Sequence, residues 1–225
     1  MSYDKELVQG KLKRWENYIL HYRLPHWEEL PDFGLYMEQV TSLLSQILNY
    51  LPNEIAKEDK NEVFPITSAA INNYVRTKTM PEPVKKRYYR IHIAYLIMIC
   101  TLKQTLSISL IKTLVPVGLT EEELKRLYTR FIEWFHLEVK YFGQQLKTLA
   151  GPLLYEGGEM KASEEEAPAS ITLESVGIGA ETTEDLIFSM ALISVFSRLL
   201  AQKLLLLHGR SLNDSENIEL RYPEE

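Results

Sequence analysis

Residues 66–116, ITSAAINNYVRTKTMPEPVKKRYYRIHIAYLIMICTLKQTLSISLIKTLVP, decide how the rest of the chain reads. Thr67 precedes a short run in which Ala70, Ile71 and Tyr74 recur at helical spacing, so its hydroxyl is placed to cap a helix of about three turns. The other face of that helix carries Ser68, Asn72, Asn73 and Arg76, with Lys78 at its end, side chains able to donate to phosphates or base edges. Pro81 and Pro83 stop the helix and force an extended path, after which Lys85, Lys86, Arg87 and Arg90 cluster around Tyr88 and Tyr89. A strongly apolar helix follows, with Ile93, Tyr95, Leu96, Ile97 and Cys100 expected inside, and Ser107 is placed to cap a last short helix through Leu114. A polar-faced helix, a basic turn and an apolar helix in this order suit a recognition helix with a small wing.

Charge is distributed to match. The 225 residues carry a net −6, yet residues 64–103 hold seven Lys or Arg against the single acid Glu82, so this stretch is +6 and the remainder −12. A chain acidic as a whole does not coat nucleic acid by bulk attraction; a local basic footprint is the form of charge that a site-directed contact needs.

Outward from the stretch, helical periodicity continues in both directions. Leu7, Leu12, Trp15, Ile19 and Tyr22 predict a first helix stopped by Pro25, and Tyr36, Val40, Leu43, Leu44, Ile47, Leu48 and Leu51 a second, ended by Pro52. Residues 53–62 have no apolar period and read as a connection. Beyond Pro116, Thr120 and Glu123 form a capping-box pattern ahead of Leu124, Tyr128, Phe131, Phe135, Val139, Phe142, Leu146 and Leu149, an apolar stripe that wants a partner. Residues 151–182, with Gly-Gly and the Glu164–Glu166 run, read as an acidic linker in which Ile171–Leu173 suits a brief strand. The last helix, Thr183–His208, is almost wholly apolar from Leu186 to Phe196 and stops at Gly209. Arg198, Gln202 and Lys203 interrupt it, which favours burial in a core or dimer interface over a membrane span of about 20 apolar residues.

The central stretch resembles the winged helix-turn-helix of MerR-type regulators. Ile66-Thr67 stands where that family has Val-Ser, Ile71 and Tyr74 where it has Leu and Tyr, Thr79-Met80-Pro81 where it has Leu-Leu-Pro, and Lys86 and Tyr88 fit its wing Arg and Tyr. It differs in a shorter wing, in Lys78 where the family has Gly, and in Tyr89 where it has a capping Ser or Thr. More closely, residues 35–114 resemble an uncharacterised bacterial domain-of-unknown-function family through the Ile-Asn-Asn-Tyr-Val and Lys-Lys-Arg-Tyr pieces. The resemblance implies double-stranded DNA as partner and a homodimer formed through the C-terminal helices. On it, Thr67, Ser68, Asn72, Asn73, Arg76, Lys78, Lys85, Lys86, Arg87, Tyr88 and Arg90 are the expected DNA-binding residues.

The expected fold class is all-α: a helix-turn-helix with a short basic wing plus a C-terminal helical bundle. Its parts are an N-terminal helix over 1–31, the helix-turn-helix unit over 32–116, a dimerisation or sensing region over 117–209, and a tail over 210–225. The five histidines lie far apart, outside any metal or nucleophile motif, and Cys100 sits in an apolar helix, so neither enzyme chemistry, a metal nor a cofactor is expected. A single cysteine and a charged N-terminus suit a reducing, cytoplasmic setting. Two other readings remain open: a helical interaction or scaffold module that keeps the helix-turn-helix shape without gripping DNA, and a regulator whose Phe131, Trp134, Phe135, Tyr141 and Phe142 line a pocket for a small apolar ligand.

Overall fold

The helix over Arg90–Leu102 is buried on every side from His92 to Leu102, and the rest of the molecule is arranged around it. The computed structural model describes residues 3–49, 66–154 and 182–213. Among these the chain forms seven α-helices and no strand: α1 (Lys5–His21), α2 (Met37–Ile47), α3 (Ser68–Arg76), α4 (Arg90–Leu102), α5 (Ile108–Leu114), α6 (Glu121–Leu154) and α7 (Thr183–Leu205), with a 3-10 turn at Trp27–Glu29. The expected connection at 53–62 and brief strand at 171–173 lie outside the described residues, as does most of the acidic linker.

Local chemistry starts the helices. The Thr67 hydroxyl accepts from the Ala70 N–H at 3.1 Å, and Ser107 caps α5 through the Leu110 N–H. At the head of α6 the Thr120 hydroxyl and Glu123 carboxylate satisfy each other's backbone donors, and Thr182 and Asp185 repeat that arrangement at α7. The long helix α6 runs through the break expected at Gly151, and Gly151 and Pro152 fall in its last turn, so the helix ends at Leu154, within three residues of them.

α4 packs against α2, α5, α6 and α7. One buried cluster runs from Leu24 through α2, α3 and α4 to Tyr128, Phe131 and Phe135 of α6 and Phe188 and Phe196 of α7. The boundary expected at 116–117 is therefore no edge of the core. Nor does the N-terminal helix stand apart: α1 lies along α6, and Leu7, Val8 and Leu12 form a second cluster with Leu146, Ala150 and Leu207.

α7 covers the aromatic stripe of α6, with Phe131 edge-on to Phe188 at 5.6 Å and Phe135 edge-on to Phe196 at 5.4 Å between ring centres. A polar node at its head fixes the register. Asp185 accepts from the Trp134 indole N–H at 2.9 Å and pairs with Arg130, whose guanidinium also donates to the Thr182 hydroxyl. Burial alone would raise the Asp185 pKa; Arg130, Trp134 and Thr182 overcome it and hold the carboxyl down at about 2. Two residues assigned to inward faces point out instead: Leu149 is 78% exposed and Tyr36, the residue before α2, is 52% exposed. On α7, Leu186, Ile187 and Met190 are likewise exposed, because α6 covers only one side of that helix. No helix among the described residues is long and apolar enough to cross a membrane.

Candidate nucleic-acid interface

α3 buries Ile71 and Tyr74 and turns Ser68, Asn72, Asn73 and Arg76 outward. Its end is built by Lys78, which takes the left-handed conformation (φ +54°) at the position where the resembled family has glycine. The Thr79 N–H then closes on the Tyr74 carbonyl at 2.8 Å, and the Lys112 ammonium of α5 donates to the Thr77 carbonyl.

The basic stretch makes a two-residue hairpin. Val84 and Arg87 exchange both backbone hydrogen bonds, at 3.0 and 2.9 Å, and Lys85 and Lys86 between them both have positive φ, +49° and +63°. Two consecutive left-handed residues are what a type I′ turn requires. Both lysine side chains are exposed at the tip, and neither makes a side-chain bond among the described residues. Leu35 and Tyr88 exchange two further bonds at 2.8 Å, which pins the hairpin to the segment before α2. The approach is close: a Cβ on Gly34 would sit 2.9 Å from Arg87 Cδ and 3.0 Å from Tyr89 Cζ.

His92 is the buried support beneath this turn. Its Nδ1 accepts the Tyr89 N–H at 2.9 Å and its Nε2–H donates to the Glu82 carbonyl at 3.0 Å, so a neutral ring ties the entry of the hairpin to the head of α4. The imidazole thus takes the part of the N3 side chain in a capping box, accepting the N–H of the N-cap residue Tyr89, while the His92 backbone N–H donates to the Tyr89 carbonyl at 2.8 Å. Burial lowers the His92 pKa against the opposing effect of these two bonds, which keeps the ring neutral.

Not every expected contact residue is presented. Tyr88 is 3% exposed and stacks edge-on against His92, so it supports the turn from inside and does not reach a ligand. Arg90 donates to the Leu30 carbonyl at 3.1 Å and lies over Trp27, and the Thr67 hydroxyl is used by the helix cap. Arg87 is exposed, yet its guanidinium donates to the Gly34 carbonyl and the Tyr36 hydroxyl and sits 4.4 Å from the Tyr36 ring centre. Arg76 donates to Asn73 Oδ1 at 2.7 Å. Asn72, Lys78, Lys85 and Lys86 remain exposed without a side-chain bond among the described residues. The exposed Tyr36 is not legible as part of this surface in the sequence, since it is the Leu35–Tyr88 bridge that brings it beside Arg87.

The five aromatics expected to enclose a ligand are mostly core. Phe131 and Phe135 are completely buried, Trp134 and Phe142 nearly so, and the space a ligand would take is filled by Phe188 and Phe196. Cys100 is fully buried as well, and burial pushes its thiol pKa up to about 12.

Residues 25–131 match the family model DUF1836, a domain of unknown function. The matched segment begins at Pro25, takes in α2 to α5 and ends within α6 at Phe131, so it contains the whole surface just described together with the first turns of the helix that closes its core. No curated protein and no solved structure matches the chain.

Proposed function

We propose that the protein is a DNA-binding transcription regulator of the winged helix-turn-helix kind, with α2 and α3 as the helix pair, α3 entering the major groove and the Lys85-Lys86 tip resting on the phosphate backbone. The observation that carries this reading is the combination of an outward polar face on α3 with two exposed, unengaged lysines on a rigid two-residue turn. Phosphate contacts position a protein on the duplex, and groove contacts from one helix face read bases. Asn72 is suited to base reading because its amide is not engaged by the fold, whereas Asn73 and Arg76 must first release each other. Arg87, stacked on Tyr36, stiffens the base of the wing.

The test is a titration of duplex DNA fragments at several salt concentrations. The double variant Lys85→Gln/Lys86→Gln, which removes charge while keeping side chains of similar length, should weaken binding to all sequences and reduce the salt slope by roughly 0.9 per lost contact. Asn72→Ala should leave the slope alone and relax preference at one position by about 1–3 kcal/mol. Wild-type protein that shows no salt-dependent binding would sink the proposal and favour the scaffold reading.

The outward apolar residues of α7, Leu186, Ile187 and Met190, support a homodimer, the arrangement that gives a short recognition helix two half-sites. Light scattering of the full chain should give twice the 26.1 kDa chain mass, and Ile187→Lys/Met190→Lys should halve it. A monomeric wild type would contradict the dimer while leaving the DNA contact open to its own test.

A further inference from the structure

Tyr36 stands at the head of α2, and its backbone is fixed there: its N–H donates to Gln39 Oε1 at 2.9 Å and its carbonyl accepts the Val40 N–H at 3.0 Å. The preceding Leu35 exchanges both its backbone bonds with Tyr88, so Tyr36 lies level with Arg87, the residue that follows the Lys85-Lys86 tip. Arg87 is held against it at several points. Its side chain crosses Gly34, where a Cβ would sit 2.9 Å from Cδ, and one guanidinium nitrogen donates to the Gly34 carbonyl at 3.2 Å. The guanidinium carbon lies 4.4 Å from the centre of the Tyr36 ring, and the other terminal nitrogen donates to the Tyr36 hydroxyl at 2.7 Å. Both residues nonetheless remain exposed.

The bond from Arg87 fixes the polarity of the phenol. A guanidinium has donors only, so the Tyr36 oxygen accepts from it and its own hydrogen is left to donate elsewhere, in the field of a cation. Close by, one residue before Arg87, begin the two exposed ammonium groups of the turn. A directed neutral donor beside such a tip suits a phosphodiester, where charge draws the anion in and a hydrogen bond sets its position. We infer that the Tyr36 hydroxyl donates to a backbone phosphate of bound duplex DNA, with Arg87 as the residue that orients it. Resting on the DNA-binding reading above, this adds a contact from the head of α2 to the two lysines of the turn. Arg87 then serves by position, with two of its donors committed to Gly34 and Tyr36.

Titration of the full-length protein with mixed-sequence duplex DNA at several salt concentrations tests the contact. Tyr36→Phe keeps the ring beneath Arg87 and should bind about tenfold more weakly, the loss for one hydrogen bond to a charged acceptor. Its salt slope should stay at the wild-type value, because a neutral hydroxyl releases no counterion, and its melting temperature should stay there too. Tyr36→difluorotyrosine, whose phenol ionises near neutral pH, separates a phosphate contact from a prop for Arg87. A phenolate accepts from Arg87 more strongly, but it has no proton to give and repels a phosphate. A contact therefore requires that binding by this variant fall, relative to wild type, as pH rises through the phenol's ionisation; a prop requires that it hold or tighten. Wild-type affinity or a reduced salt slope in Tyr36→Phe, or binding by the difluorotyrosine variant that holds or tightens, would overturn the assignment. If wild type binds with salt dependence in those cases, the DNA-binding reading survives; a wild type without such binding removes both.

Discussion

Deleting residues 183–225 should turn the protein into an aggregating, loosely packed species. The missing helix carries Phe188, Leu192, Val195, Phe196 and Leu199, all buried against α6 and α4. Each such side chain contributes about 1.5–3 kcal/mol on burial, so their sum, on the order of 10 kcal/mol, is comparable to the whole stability of an ordinary domain. The deletion would also leave Phe131, Phe135, Val139 and Phe142 facing water, a contiguous apolar patch of the kind that drives association. Dye binding to exposed apolar surface together with size-exclusion chromatography gives the answer: a monodisperse truncation with a sharp thermal transition would refute the pairing of α6 with α7.

The next largest effect should come from Asp185→Ala. The change strips the partner from Arg130 and the Trp134 indole and removes half of the α7 capping box at once. Breaking a buried pair costs about 3–5 kcal/mol, and the partial exposure of Arg130 places this case near 3. Acid titration isolates the charge. With a folded pKa near 2 against an ordinary 3.8, Asp185 contributes stability that is complete above 3.8 and lost as pH falls through 2, about 2 kcal/mol in all. Glu138, whose pKa burial raises, works in the opposite direction and only at higher pH, above its ordinary 4.5. The difference between wild type and Asp185→Asn in denaturant unfolding should therefore shrink between pH 4 and pH 2; a constant difference would place the Asp185 contribution in shape and not in charge.

Helix starts were readable because they are local. Thr67, Ser107 and the Thr120–Glu123 pair each satisfy donors within three residues, so the signal and its effect share one short window. The apolar stripe of α6 was readable for the same reason, and the partner it calls for is α7. What escaped was whatever depends on distant segments meeting. Asp185 carries no local signal of its role, which depends on Trp134, 51 residues away. Tyr36 fitted an apolar period by type, and only the fold shows it outside under Arg87. Trp15 and Tyr22 likewise read as one helix face, with nothing nearby to say that Lys203 would come to lie beside them. The basic turn was placed correctly as a cluster, but the difference between Lys85 and Lys86, which are presented, and Tyr88 and Arg90, which are engaged, is decided by contacts with residues 27–35 and with His92.

The left-handed geometry at Lys85 and Lys86 has a consequence for anyone who would make this protein more robust. Asn-Gly suits such a turn best, and lysine with a Cβ at positive φ costs on the order of 1 kcal/mol at each place. Screens that reward heat resistance would therefore be drawn to this pair early, trading both ammonium groups for a relaxed backbone. Improvement in hardiness and erosion of the basic tip would arrive through the same substitutions, and a hardened variant chosen without regard to charge would be the wrong material in which to look for a polyanion contact.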